Sequence, residues 1–538
     1  MLENILDDKR KRIYFLIYLL FLAALLFTWI ALQSNFYSRV LPFFDSLAYQ
    51  RWCYDLSQYA RANGWFKGVL NAASWPSPNT WLLPIFTGLI SPLGLQCRTV
   101  LCAYYMPIHF IALVLLYLTL LRYTRSSLCA AIGPFLLLGA QAFADTYYGI
   151  LDQRLEPGVL SFYVIICACL LNWYFNPSYR AALAVGIATS LGILHRPVFV
   201  MQVLPILAAT FILSVLTTNE LRIRKLKQLG VVAVMFTLIT LPFFIYQFNS
   251  LKSYYFEVNV DVGSIATYYS SLHLNVSFFL ERVGWFTIIL SSAFIAFTLI
   301  AGMASVWQVA LLVVIFIGSI LSLILSKSAN GVVVYPCMAV FGFVPIVIKK
   351  DACRSRISKA MLCVFLLISV VVTGSRLYEL NSKIQSIDDS LRRSEDKLIE
   401  EIVRLRLPDP VYISGFNTQG VDPATLVFLA QVEKGLPFEY GVMRVHPSEF
   451  GLKENDTSHL DKNTIDHCID TVMEDVFKTG GLIILVDPEK VNGVNLAQSN
   501  FSHRIMPSIV KKFIDSGRLT DLNIGVEAPV PVKIYSVR

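Results

Sequence analysis

Long apolar runs recur along the chain, each close to the roughly twenty residues that an α-helix needs to cross a bilayer. They lie at approximately 13–32, 100–121, 128–144, 158–175, 181–195, 198–217, 229–248, 283–302, 307–325, 331–348 and 358–375. Eleven membrane-spanning helices are therefore expected. The polar stretches between them alternate in charge. Lys9-Arg10-Lys11-Arg12 precede the first run. Arg122 with Arg125, Arg180, the run from Arg222 to Lys227, and Lys349, Lys350, Arg354, Arg356 and Lys359 then occupy every second loop. Lys and Arg concentrate on the cytoplasmic side of membrane proteins, which places the N-terminus inside and the C-terminal region outside.

Two regions depart from this pattern. The first outer loop, 33–99, carries an amphipathic stretch from Leu47 to Tyr59, then Trp65-Phe66 and Trp75. Aromatics mixed with polar residues suit short helices lying in the membrane interface. The run 80–95 is broken by Pro84, Gly88 and Pro92 and reads as a re-entrant or interfacial helix, with a twelfth span as the alternative. After the last span the composition changes. Residues 376–406 are highly charged with apolar positions at helical spacing, as in a solvated linking helix. Beyond it, Pro410–Phe416, Gly481–Pro488 and Val532–Val537 read as strands, and 424–433, 463–478 and 504–517 as helices. Alternating strands and helices imply a small α/β domain over 407–538. The expected fold is a polytopic α-helical membrane domain, 1–375, followed by an extracytoplasmic α/β domain.

Composition agrees. The 538 residues are 55% hydrophobic and only 15% charged, which excludes an ordinary soluble globular class. The net charge of +8 sits in short loops and follows from the inside-positive bias, with no nucleic-acid partner implied. Of ten cysteines, Cys102, Cys129, Cys167, Cys169 and Cys363 fall in apolar runs, where they behave as small hydrophobes. The polar C-terminal region keeps only Cys468, so no disulfide framework is expected there. The first run is too long for a cleavable signal and lacks a small-residue cleavage site, so it reads as a retained anchor. Compact loops without disulfide pairs lean to a bacterial inner membrane, with the outer side periplasmic, and the endoplasmic reticulum is the alternative.

Candidate chemistry lies on the outer side. Asp45 sits in Pro42-Phe43-Phe44-Asp45-Ser46-Leu47-Ala48-Tyr49, just beyond the first span, where an acid beside a membrane is costly to keep. The second outer loop holds Asp145, Asp152, Arg154 and Glu156 beside Tyr147 and Tyr148, against the alternative of an ordinary polar cap. His195-Arg196-Pro197 interrupts two apolar runs, where a snorkelling Arg at a simple turn is the other reading.

This layout resembles the GT-C superfamily of membrane glycosyltransferases, in particular its protein mannosyltransferase, aminoarabinose transferase and RgtA-like branch. Phe44-Asp45-Ser46-Leu47-Ala48-Tyr49 is similar to that branch's acidic-small-x-x-aromatic motif. Many members have Asp-Glu where this chain has Asp45-Ser46, so a role for a second adjacent acid does not carry over. The resemblance implies a polyprenyl-phosphate-linked sugar donor and an acceptor outside the cytoplasm, whether glycan, lipid or protein.

Such a transfer needs a base for the acceptor hydroxyl, cations for the departing phosphate and a water-poor cleft open to lipid. Asp45 is the expected base, with Asp145 and Asp152 as further catalytic candidates. Arg196, His195, Lys327, Arg282 and Arg51 are the expected phosphate ligands, and Tyr49, Arg154 and Glu156 line the cavity. Lys327 and Lys252 have an alternative reading as interface anchors. A monophosphate leaving group can be stabilised by Arg or Lys without a metal. Two neighbouring acids could instead hold a divalent cation, magnesium or manganese. Alternative activities are a lipid-linked glycan polymerase or ligase, and, from other classes, a secondary transporter or lipid flippase and a non-enzymatic membrane anchor or sensor. The near absence of charge from the centres of the spans argues against a transporter.

Overall fold

The structure is a computed structural model. It describes residues 9–39, 45–146 apart from 76 and 78, 154–216, 219–252, 265–325, 331–349, 352 and 355–387. Beyond these it describes 411–414, 440–443, 462–479, 482–486, 511–526, 532–537 and a few single positions between 393 and 432. The chain divides into two compact units, residues 1–34 with 52–385 and residues 35–51 with 386–538.

Each of the eleven expected runs coincides with an apolar helix. In chain order these are α1 (Lys9–Arg39), α5 (Cys97–Thr124), α6 (Ser127–Leu138), α7 (Glu156–Phe175), α8 (Tyr179–His195), α9 (Val200–Val215), α10 (Asn219–Tyr246), α13 (Trp285–Ile300), α14 (Val306–Leu325), α15 (Gly331–Phe343) and α16 (Arg356–Gln385). Among the described residues, six helices are long and apolar enough to cross a membrane. The pair His273–Val283 and Trp285–Ile300, bent by 78°, is apolar enough only when taken together, as a broken span or a re-entrant loop. Gly284 makes that bend with a φ of 77°, a left-handed conformation that a side chain would strain.

The other expected spans are shorter apolar helices among the described residues; two of them are followed by 3₁₀ turns, α6 by Gln141–Ala144 and α15 by Val344–Val347. Both carry an internal proline, Pro134 and Pro336, which removes a backbone donor inside the helix. These two helices approach closely. A Cβ at Gly133 would collide with the Gly342 carbonyl and the Leu120 side chain. Small residues allow such contact between membrane helices, where dispersion has to replace the hydrophobic effect. Helix α7 is the most enclosed of the long helices, with 72% of its apolar window buried, and Tyr163 and Trp173 fully covered.

The segment between the first two long apolar runs folds as the amphipathic pattern requires. It forms α2 (Asp45–Asn63), α3 (Trp65–Ala73) and α4 (Leu82–Ile90). Tyr49, Cys53, Leu56 and Ala60 recur at helical spacing along α2 and are all buried. Burial pushes the Cys53 thiol up to about 12, so it stays protonated and unreactive at neutral pH. Trp65, Phe66 and Leu70 on α3 are exposed apolar residues, as an interfacial helix needs. The segment expected to begin a separate linking helix at 376 is instead the continuation of the last span, since α16 runs unbroken to Gln385.

The second unit contains a mixed five-stranded sheet of order β2-β1-β3-β5-β4, with β1 Val411–Ser414, β2 Tyr440–Met443, β3 Leu482–Val486, β4 Leu519–Val526 and β5 Val532–Val537. β1 pairs in parallel with β2 and β3, and β5 pairs antiparallel with β3 and β4. Helix α17 (Lys462–Thr479) carries the crossover into β3. It is tied to residues 512–518 by Lys512 on Asp470 at 2.8 Å and by Arg518 over the Phe477 ring at 4.0 Å. The expected helix at 424–433 lies outside the described residues, apart from one position.

Candidate functional site

Charged side chains gather in two places, one where the bend at Gly284, the turn Gln141–Ala144 and the end of α16 meet, the other at the start of α7 and the end of α8. Asp145 is the first centre. It follows the 3₁₀ turn Gln141–Ala144, whose Ala142, Phe143 and Ala144 are buried and whose extended exit projects the carboxylate. Arg282 donates to Asp145 Oδ2 at 2.6 Å, and the Lys383 ammonium lies 3.2 Å from Oδ1. Lys383 also donates to the Ala144 carbonyl at 3.1 Å and pairs with Glu379 at 2.9 Å. Glu379 in turn accepts from Gln141 at 2.8 Å and from Arg376 at 2.9 Å, while Arg376 donates to the Gly139 carbonyl at 3.1 Å. The helix end and the turn are thus laced together by charge-assisted bonds, which are stronger than neutral ones.

Glu156 is the second centre. It opens α7, and its Oε1 lies 3.4 Å from Arg196, both side chains being about 10% exposed. Its Oε2 is buried and has no hydrogen-bond partner among the described residues. Arg154 is also buried. Next to Arg196, His195 is fully enclosed. Its Nδ1 meets the Tyr104 hydroxyl at 2.7 Å and its Nε2 meets the Leu155 carbonyl at 2.7 Å. A carbonyl only accepts, so Nε2 carries the proton and Nδ1 accepts from Tyr104. Both ring nitrogens are therefore engaged within the protein, and His195 fixes the 154–156 corner against α5.

The imidazole lies directly on Gly158, where an added Cβ would collide with the ring. Gly158→Ala is expected to destabilise the fold by about 1–3 kcal/mol through overpacking. Thermal unfolding of the purified variant checks this, and an unchanged midpoint would show that the corner can relax.

The sequence candidates separate as follows. Asp145, Arg282, Arg154, Glu156, His195 and Arg196 all belong to the first unit and sit at the helix ends just described. Asp45 is the first residue of α2, and Tyr49, almost fully buried, and Arg51 lie one and two turns on; these three belong to the second unit. The Asp45 side chain and the whole of Asp152 and Lys327 lie outside the described residues. Sequence reasoning missed Arg376, Glu379 and Lys383, which were read as part of a solvated linker. Their spacing of three and four places them on one face of a helix that continues an apolar span, and that was the available signal.

The sequence matches no protein-family model and no curated protein. Solved structures do match. ArnT from Cupriavidus metallidurans bound to undecaprenyl phosphate superposes with a TM-score of 0.57 at 12% identity, covering 96% of this chain and 98% of that one. The fold is that of ArnT. The apo form of the same protein gives a TM-score of 0.56 at 13% identity, with 96% and 97% covered. The polytopic helical membrane fold expected from the sequence is the observed one, and the chain is an integral membrane protein.

Proposed function

We propose that this protein is a membrane glycosyltransferase that moves a sugar from a polyprenyl phosphate to an extracytoplasmic glycan, lipid or protein. The observation that carries this reading is the fold shared, over nearly the whole chain, with a protein bound to undecaprenyl phosphate. The charged helix ends support it, because cations gathered at one end of an apolar bundle suit a lipid phosphate. The reading places the protein in a bacterial inner membrane with its N-terminus cytoplasmic and the C-terminal α/β domain, residues 407–538, periplasmic.

In the proposed reaction the acceptor hydroxyl attacks the anomeric carbon of the sugar. The bond to the phosphate oxygen breaks, and polyprenyl phosphate leaves with the electron pair. Asp45 takes the hydroxyl proton. Arg282 and Lys383 face the growing negative charge on the phosphate, with Arg196 as the next cation. Such stabilisation is strong where water is excluded. Asp145 is a positioning residue in this scheme: each carboxylate oxygen is engaged by one cation, which fixes where Arg282 and Lys383 point. Glu156 Oε2 is an acceptor suited to a sugar hydroxyl. Asp152, in the same short loop, is the reserve candidate for base.

Among the described residues no group of three or more His, Cys, Asp or Glu comes together, and the Asp145 oxygens are engaged by Arg282 and Lys383. The acids that would hold magnesium or manganese in this reading are Asp45 and Asp152, whose side chains lie outside the described residues.

The test is direct. Purified protein in lipid nanodiscs, given polyprenyl phosphates carrying labelled sugars and an envelope extract, is expected to transfer label and release an equal amount of polyprenyl phosphate. Failure to release polyprenyl phosphate from any hexosyl or pentosyl donor overturns the reading.

A further inference from the structure

The opposite end of the same bundle holds a second polar arrangement that sugar transfer does not use. Lys225, in the first turns of α10, is only 2% exposed. Its ammonium lies over the Tyr174 ring at 3.7 Å, and among the described residues that ring is its one partner. A largely covered lysine without an anion is unfavourable, and a ring face offsets only part of that cost. One turn further along α10 is Gln228, fully buried. Its Oε1 accepts from Trp173 Nε1 at 2.9 Å, which fixes the amide orientation because an indole N–H can only donate. The amide nitrogen of Gln228 is left buried with no hydrogen-bond partner among the described residues.

Lys225 and Gln228 are three residues apart and so lie on one helix face. Both meet the end of α7 at consecutive residues, Tyr174 and Trp173. A buried amide donor and a largely covered lysine on the same face, with no acceptor for either among the described residues, suit an oxyanion. Tyr174 also forms a wall of an apolar cleft between α7, α9 and α14, lined by Leu171, Ile206, Leu213 and Val314.

We propose that Lys225 and Gln228 bind the phosphate of an anionic phospholipid, with an acyl chain following the cleft from Tyr174. A phosphate group supplies the missing acceptors. The apolar cleft beside it favours a lipid over a free ion. Arg222, Arg224 and Lys227 flank the site in sequence and add the positive field that draws anionic headgroups. The flexible lysine stem lets the ammonium leave the ring for the phosphate. The site is at the far end of α7 from Glu156, so it is independent of the proposed sugar donor site.

Native mass spectrometry of the full-length protein, titrated with phosphatidylglycerol and with phosphatidylcholine, tests the proposal. The wild type is expected to bind phosphatidylglycerol preferentially, and Lys225→Met with Gln228→Leu to bind it about tenfold more weakly. Lys225→Arg, which keeps the charge, should retain the preference and serves as the folded comparison if the double variant is unstable. Inorganic phosphate at millimolar concentration should not displace the lipid. Equal binding of both lipids, or undiminished phosphatidylglycerol binding by the double variant, overturns the site. Full displacement by inorganic phosphate overturns the lipid assignment and leaves a soluble oxyanion as the occupant.

Discussion

Replacing Asp45 by Asn is expected to lower sugar transfer by about 10²–10⁴-fold, the usual contribution of a positioned general base. The substitution is nearly isosteric and removes only the ability to take a proton. The fold should tolerate it, because Asp45 is the first residue of the helix Asp45–Asn63 and Asn is as well suited as Asp to a helix start. Initial rates with a labelled polyprenyl-phosphate sugar measure the loss, and size-exclusion behaviour and thermal unfolding report the fold. Donor KM should change little. Asp145→Asn is expected to act differently, because it releases Arg282 and Lys383 and so raises donor KM. Wild-type transfer by purified Asp45→Asn would remove Asp45 as the base and bring Asp152 forward.

How far the sequence could be read follows from what each element buries. The membrane helices were legible because each must be apolar over most of its surface, and all eleven runs became helices. The site was legible only where charge interrupts such runs. Asp145, Glu156, Arg196 and Arg282 stand at the ends of apolar helices, so composition exposes them. Arg376, Glu379 and Lys383 stand beyond the last apolar residues, where charge is ordinary, and only their spacing along one helix marks them. That Asp145 pairs with Lys383, 238 residues later in the chain, is a tertiary fact that no local pattern carries.

The sheet shows the same division. Its inner strands β1, β3 and β5 were expected from runs rich in β-branched and aromatic residues, continuous in Leu482-Ile483-Ile484-Leu485-Val486 and interrupted by Lys533 and Ser536 in β5. The strands not anticipated, Tyr440–Met443 and Leu519–Val526, are the two edges. Gly441 weakens the pattern of the first, and Asp521, Asn523 and Gly525 that of the second, which also has a register shift between Asp521 and Ile524. Edge strands are commonly polar and irregular, which protects them from pairing with other chains.

Arg282→Gln is expected to impair both stability and donor use, and the two effects can be separated. The guanidinium is about 9% exposed, bonds Asp145 at 2.6 Å and lies 4.7 Å from the Phe278 ring, just before the glycine that bends the chain. Breaking one partner out of a buried ion pair typically costs about 3–5 kcal/mol. Here Lys383 remains on the other Asp145 oxygen, so the loss should fall at the lower end of that range. Loss of a group that stabilises charge developing in the reaction lowers kcat by about 10²–10³-fold. Lys383→Met also removes a cation from Asp145, and Lys383 is 40% exposed, where ion pairs contribute less. It should therefore cost less stability. Thermal unfolding of the two variants ranks the structural effect. Single-turnover transfer at saturating donor, measured below both unfolding temperatures, isolates the electrostatic one. If Arg282→Gln transfers sugar at the wild-type single-turnover rate, Arg282 only holds Asp145 and the bend in place, and the phosphate cation must be sought at Arg196.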